Sequence, residues 1–362
     1  MLRKDLREAL IRASLKGIAK DQLLVLYARG EDLVAYMASG DLPLDLERLL
    51  TKGSLKKLKE ARKVDMAQVE DYFFARGIHS LVVEDDFYPD HLAKIEDPPV
   101  VLYYMGDIHI LEKPGLGIVG ARKHTDYGQR TCRKIIEDLA GYEIMTISGM
   151  ALGIDGVCHQ ASLDQGLETV AVLGNGIDSY YPKKHRALWE AIRAQGLVLS
   201  EYPPGTQALP FHFPQRNRII AGLAQALLVV EAQEKSGSLI TARLAAGMGR
   251  EIFALPGNID SLYSAGCNAL IRDGANIFLN SQDLAHQMGW ERDLKKEEAL
   301  HPLEDLSEEE REVYQAILEG LSHVDQLAAK LPYETPKILA NLTILEMKGY
   351  ITSLGAGLYQ PS

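Results

Sequence analysis

Between residues 78 and 256 short apolar runs alternate with amphipathic stretches, and no other feature limits the fold as much. The runs are Leu81-Val-Val, Val100-Val-Leu-Tyr-Tyr, Gly117-Ile-Val-Gly, Ile144-Met-Thr-Ile-Ser, Thr169-Val-Ala-Val-Leu-Gly, Leu197-Val-Leu-Ser, Ala226-Leu-Leu-Val-Val-Glu and Glu251-Ile-Phe-Ala-Leu-Pro. Each has strand length, and residues 127–140, 153–165, 185–195 and 238–248 carry helical spacing between them. Strands joined by helical crossovers wind right-handed and build a mostly parallel sheet covered on both faces. The expected fold class is therefore α/β. Ligands of such sheets sit beyond the carboxyl ends of the strands, which is where chemistry is sought below.

The flanks read differently. Residues 1–65 form short helices: apolar positions recur at Leu6, Leu10 and Ile11 and again over Leu23–Leu26, with Gly17, Gly30, Gly40 and Gly53 as punctuation. Residues 66–290 hold the sheet domain. Residues 291–306 are charged and weakly periodic, as in a linker. Residues 307–362 open with a capping box, Ser307 to Glu310, and continue as helices to about Leu318 and over 323–331. A third helix starts at Thr335-Pro336 with a stripe of Ile338, Leu342 and Leu345, and a glycine-containing hairpin closes the chain. Three helices and a hairpin outline a winged helix. Its third helix offers Lys337, Asn341 and Lys348 as polar contacts, so docking to protein, a purely structural wing and duplex reading all stay open.

Composition narrows the class. The 362 residues suffice for two or three folded units. No stretch of about 18 apolar residues is present, and the start has mixed charge without an apolar core, so neither a membrane span nor a signal peptide is expected. Cys132, Cys158 and Cys267 form no C-x-x-C pair, which argues against a disulfide framework or structural zinc and for the cytoplasm. Net charge is −11, distributed as +4 over residues 1–65, −8 over 66–290 and −7 over 291–362. Bulk acidity disfavours a nucleic-acid partner, but phosphate recognition depends on local cations and amides.

Several strand ends carry candidate binding groups. Gly115-Leu-Gly117-Ile-Val-Gly120 matches G-x-G-x-x-G, yet its glycines precede or lie within the strand instead of following it, so a nicotinamide cofactor is rejected. Gly120-Ala-Arg122 ends that strand, with glycine allowing close approach and arginine a fork for phosphate; a plain surface arginine reads equally well. Ser148-Gly149 leads into a helix whose free amides form an anion site, or a tight turn that binds nothing. Lys183 and Lys184 follow the central strand and face either phosphate or solvent. Phe211-His-Phe213-Pro-Gln-Arg216-Asn217-Arg218 is the densest segment, combining stacking faces, guanidinium forks and an amide; single strands are held by such sets, though its arginines could equally pair with local carboxylates. Ser236-Gly237-Ser238, with Thr241 one turn on, offers hydroxyls and amides to an anion. His159, beside Cys158, has no recognisable partner and reads as packed or surface histidine. There is no G-x-S-x-G, no Walker motif and no H-E-x-x-H, and no metal cluster or nucleophile is evident, so an enzyme is not expected.

As a set, these motifs resemble the DprA/Smf family of DNA-processing proteins. The resemblance spans about residues 78–280 in order. It rests on Ile118-Val-Gly-Ala-Arg122, Ser148–Asp155, Thr169–Asp178, Ser200-Glu-Tyr-Pro-Pro-Gly205, Phe213–Leu223, Ser236–Ala242, Pro256-Gly257 and Gly266–Ala275. It implies an extended Rossmann-like domain flanked by a sterile-alpha-motif-like helical domain and a winged helix. It further implies a homodimer that binds and protects incoming single-stranded DNA and loads RecA recombinase onto it during natural transformation, without a cofactor. Family pocket positions fall on Arg122, Phe213, Arg216, Asn217, Arg218, Ser236, Gly237 and Ser238. A lysine often precedes the family's Phe-Pro element, whereas this chain has Ala208-Leu209-Pro210, so positive charge has to come from Lys183 or elsewhere. Two rivals remain: a nucleotide phosphoribohydrolase, whose Pro-Gly-Gly-x-Gly-Thr motif is replaced here by Glu234–Thr241, and a scaffold acting through its winged helix on duplex DNA or protein.

Overall fold

The computed structural model describes residues 2–292, 306–355 and 357–361; most of the expected linker, residues 293–305, lies outside the described residues. The chain divides into two compact units, Met1–Glu291 and Arg292–Ser362.

The first unit opens with six helices: α1 (Leu2–Leu15), α2 (Lys20–Ala28), α3 (Gly30–Ser39), α4 (Leu44–Leu49), α5 (Lys52–Ala61) and α6 (Met66–Phe74). Thr51 and Asp65 start the last two by accepting the amides of Ser54 and Ala67 on their side chains. Gly40 ends α3 in the left-handed region.

The sheet follows as β1 (His79–Val82), α7 (Asp90–Ala93), β2 (Val101–Gly106), β3 (Gly115–Val119), α8 (Asp126–Leu139), β4 (Met145–Ser148), α9 (Ile154–Asp164) and β5 (Glu168–Leu173). It continues with α10 (Arg186–Gln195), β6 (Leu197–Ser200), α11 (His212–Leu223), β7 (Ala226–Val229), α12 (Gly237–Gly247), β8 (Glu251–Ala254), α13 (Ala265–Arg272), β9 (Asn276–Ile277) and α14 (Ser281–Met288). All eight apolar runs form strands; the two-residue β9 was too short to show a pattern. Strand order is β1-β2-β6-β5-β4-β3-β7-β8-β9. In this sheet β2 alone runs opposite, pairing antiparallel with β1 and β6, so the sheet is mostly parallel, as expected. Chain order reverses between β3 and β7, which places a topological switch point there.

Both faces are buried, which is why the strands read as continuous apolar runs. The helical bundle is not a free-standing layer: the expected boundary at residue 65 falls inside one compact unit. Leu10, Leu26, Leu33 and Leu58 share a single apolar cluster with Val101, Tyr103, Met105 and Val198 of the sheet. Tyr103 is fully buried, donates to Ser14 Oγ at 2.9 Å and meets Phe73 edge-on. Helices this short are stabilised by burying their apolar faces in that common interior.

The second unit is the winged helix. Its helices are α15 (Glu308–Leu318), α16 (Val324–Lys330) and α17 (Thr335–Met347), followed by the hairpin β10 (Ile351–Gly355) and β11 (Leu358–Pro361). The Ser307–Glu310 capping box is present in both directions. The polar face expected on α17 is corrected. Asn341 lies one turn from both Ile338 and Leu345, on the inward stripe, and is buried. Lys337 is paired with Glu309 and Lys348 with Glu310.

Candidate nucleic-acid interface

Parallel strands β3 to β8 release their loops on one edge, and the loops enclose a crevice of about 520 Å³ at the switch point. Gly120 and Arg122 come from the loop after β3, Asp155 from the start of α9, Phe213, Arg216 and Asn217 from the first turns of α11, and Ser236 to Ser238 from the start of α12. Three helices thus point their amino ends at one volume, where partial positive charge from unsatisfied amides accumulates.

Glycines set the floor. A Cβ at Gly120 would stand 2.6 Å from Ile154, so α9 can seat against the strand only because that side chain is missing. Gly153 has φ +89° and would place a Cβ 2.1 Å from the Ala121 carbonyl. The same carbonyl accepts the Ile154 amide at 3.2 Å, locking the two strand-end loops together. Met150, between them, holds φ 60° although fully buried; its carbonyl is bonded to His185 Nδ1 at 3.1 Å. A non-glycine residue in the left-handed region costs free energy, and strain of this kind concentrates at working sites.

The charges fall into two tiers. Arg122 and Lys123 are exposed at the mouth, and neither side chain is hydrogen-bonded or ion-paired among the described residues. The Arg122 guanidinium stands 5.9 Å from the Phe213 ring, which packs on Tyr181 at 5.4 Å with a 39° tilt. Deeper down, Arg216 is buried and donates to the carbonyls of Gly149, at 2.7 Å, and Val172. Its Nε donates to Asn217 Oδ1 at 3.2 Å. Burial pulls its pKa down to about 10, with Asp155 opposing, so it stays a cation at neutral pH. Burial raises the Asp155 carboxyl while Arg216 and the amides of Ala151 and Gly149 draw it back. Gly149 separates the two: its Cβ would lie 2.4 Å from Arg216 Nη2 and 2.7 Å from Asp155 Oδ2. Ser236 caps α12 through the Ser238 amide, and Gly237 beside it faces open space. Glu231 is buried and accepts from both the amide and hydroxyl of Thr125, which fixes the loop that presents Arg122.

Of the residues singled out from sequence, Gly120, Arg122, Phe213, Arg216, Asn217, Ser236, Gly237, Ser238 and Thr241 line the crevice. Four do not. The Ser148 hydroxyl donates to the Ile118 carbonyl at 2.6 Å and ties β4 to β3. Gly149 lies beneath Arg216. Lys183 sits exposed in the turn before α10. Arg218 points the other way, donating to Glu201 at 2.6 Å and to Asp97 at 3.1 Å, with Lys20 of α2 on the same Asp97. A helix advances by roughly 100° per residue, so Arg216 and Arg218, two residues apart, point to nearly opposite faces. Sequence reading missed Lys123, Asp155, Gln233 and Tyr263 in the lining and Tyr181 behind Phe213. Lys123 adjoins Arg122 and adds a cation to the crevice mouth; Asp155 closes the Ser148–Asp155 motif without having been singled out, and Gln233, Tyr263 and Tyr181 carry no binding signal of their own.

An open α/β sheet with an anion-attracting crevice at its switch point, joined to a winged helix, defines the class. Residues 79–289 match the family model for DNA recombination-mediator protein A, and residues 297–357 match that for the DprA winged helix domain. The chain is 38% identical over 268 residues to the DNA processing protein DprA of Streptococcus pneumoniae, covering 74% of this chain and 93% of that one. It is 36% identical over 285 residues to protein Smf of Escherichia coli, covering 77% and 76%. The X-ray structure of the pneumococcal protein superposes with a TM-score of 0.67 at 37% identity, over 76% of this chain and 95% of that one. A Helicobacter pylori DprA structure, described for its single-stranded DNA binding mode, superposes at 0.53 and 30% identity over 58% and 95%. The chain belongs to the DprA/Smf family of DNA-processing proteins. Among the described residues no helix is long and apolar enough to cross a membrane.

Proposed function

We propose that this protein binds single-stranded DNA in the strand-end crevice and acts as a recombination mediator. The observation that carries this reading is the pairing, at one switch point, of unpaired cations at Arg122 and Lys123 with the aromatic pair Phe213 and Tyr181. Phosphates lie against Arg122, Arg216 and the α12 amides, while an unstacked base packs on Phe213. A duplex keeps its bases stacked and offers no free face, so single strands are preferred. The same reading includes a homodimer, protection of incoming strands and the loading of RecA recombinase during natural transformation, in line with the family.

The test is fluorescence anisotropy of labelled single strands and matched duplex across salt, for wild type and Arg122→Ala. A single-strand preference is expected, with the variant losing about 2 kcal/mol, roughly thirtyfold in affinity. Its slope of log affinity against log salt should fall by about 0.7. Equal binding of both forms, or of neither, rejects the reading.

A further inference from the structure

A second depression, of about 850 Å³, opens between α6 and α10 over the start of β1 and the end of β2. Arg76 stacks on Tyr72 with its guanidinium carbon 3.8 Å from the ring centroid, and Arg193 lies 5.2 Å from that of Trp189. Both arginine side chains are exposed, and neither is ion-paired or hydrogen-bonded among the described residues. Stacking holds the guanidinium plane while its N–H edge faces outward, ready for a phosphate fork. The groove's carboxylate, Asp178, is already engaged: it accepts from Tyr72 Oη at 3.2 Å and from the Gly205 amide at 2.8 Å.

One loop connects this groove to the crevice. Asp178 lines the groove, and three residues on Tyr181 packs against Phe213 in the crevice. The loop then presents exposed Lys183 and Lys184, again without ion pairs among the described residues, and enters α10, which carries Trp189 and Arg193. In a chain of net charge −11 these uncompensated cations fall in sequence from crevice to groove. We propose that the groove carries the strand onward after it leaves the crevice, with phosphates on Arg76 and Arg193 and a base or sugar face on Tyr72. The proposal rests on the single-strand reading above.

Full-length protein is titrated with oligothymidylates of about 5 and about 20 nucleotides, spanning the known range of single-strand site sizes. Arg76→Ala/Arg193→Ala is compared with wild type and with Arg76→Lys/Arg193→Lys. The alanine pair should bind the short strand as wild type does and the long strand at least tenfold more weakly, with the long-strand salt slope reduced by about 1.4 for two lost phosphates. The lysine pair should restore most of that slope. An alanine pair unchanged at both lengths overturns the proposal and leaves the crevice reading standing; wild type that binds neither length overturns both. Deoxyadenosine monophosphate is the remaining arm: competition with the long strand that vanishes in the alanine pair assigns the groove to free nucleotides and overturns the strand path.

Discussion

Replacing Arg218 with methionine separates two roles that the sequence alone left merged. The Arg218 side chain is 7% exposed and the Glu201 side chain facing it 9%. Removing the guanidinium leaves Glu201 as a buried carboxylate without its partner, and breaking such a pair costs about 3–5 kcal/mol. Asp97 is 28% exposed and keeps Lys20, so the lower end applies, about 3 kcal/mol. For a unit of this size, Met1–Glu291, that lowers the melting temperature by about 5 °C. Adding Glu201→Gln removes the stranded charge, and the double variant should recover a third or more of the loss. Thermal unfolding and single-strand anisotropy are measured on the same preparations. Arg218→Met should melt early yet keep the wild-type salt slope, because its charge is cancelled by two carboxylates and faces away from the crevice. A melting temperature within about 1 °C of wild type, with a slope reduced by about 0.7, would refute this reasoning and place Arg218 on a phosphate.

Gly153→Ala should cost at least about 2 kcal/mol and abolish strand binding, since a Cβ there meets the Ala121 carbonyl and the φ is left-handed; circular dichroism melting and anisotropy check it. Phe213→Ala should weaken single-strand binding by about 1–3 kcal/mol with little change in salt slope, whereas Phe213→Tyr should keep most of it. His159 is fully buried, and burial lowers its pKa to about 3. The unfolded chain takes up its proton near pH 6.5 while the folded chain resists, so this group's contribution is present above pH 6.5 and lost progressively below it. Between pH 6.5 and 5 wild type should lose about 2 kcal/mol from this residue, read from urea unfolding at each pH, and His159→Asn should lose correspondingly less.

The sheet was legible because strands buried on both faces cannot hide their character: each of the eight apolar runs is a strand. Helix limits followed from local chemistry, as at Ser307 and Thr335. The crevice was legible wherever a loop joined glycine, hydroxyl or arginine to a strand end. What failed was direction. Arg216 and Arg218 carry the same signal in sequence, yet which one reaches the crevice depends on carboxylates at 97 and 201 that no local pattern connects to them. Asn341 failed alike, a polar residue on an inward stripe. The bundle's dependence on the sheet was hidden too, because Tyr103 belongs to a strand and Ser14 to a helix 89 residues earlier.

The pairing of β2 with β6 has a consequence in time. Tyr103 lies opposite Ser80 of β1 on one edge and Ser200 of β6 on the other, so the strand that anchors the bundle gains its second neighbour, and its link to the parallel sheet, only after roughly a hundred further residues have been made. At about 5–20 residues per second, the amino-terminal helices and the β1–β2 pair wait on the order of 5–20 s at the ribosome with one edge of β2 unpaired. Slower translation across residues 107–200 should therefore lengthen the exposure of that edge, and chaperone access during it should raise the yield of folded protein.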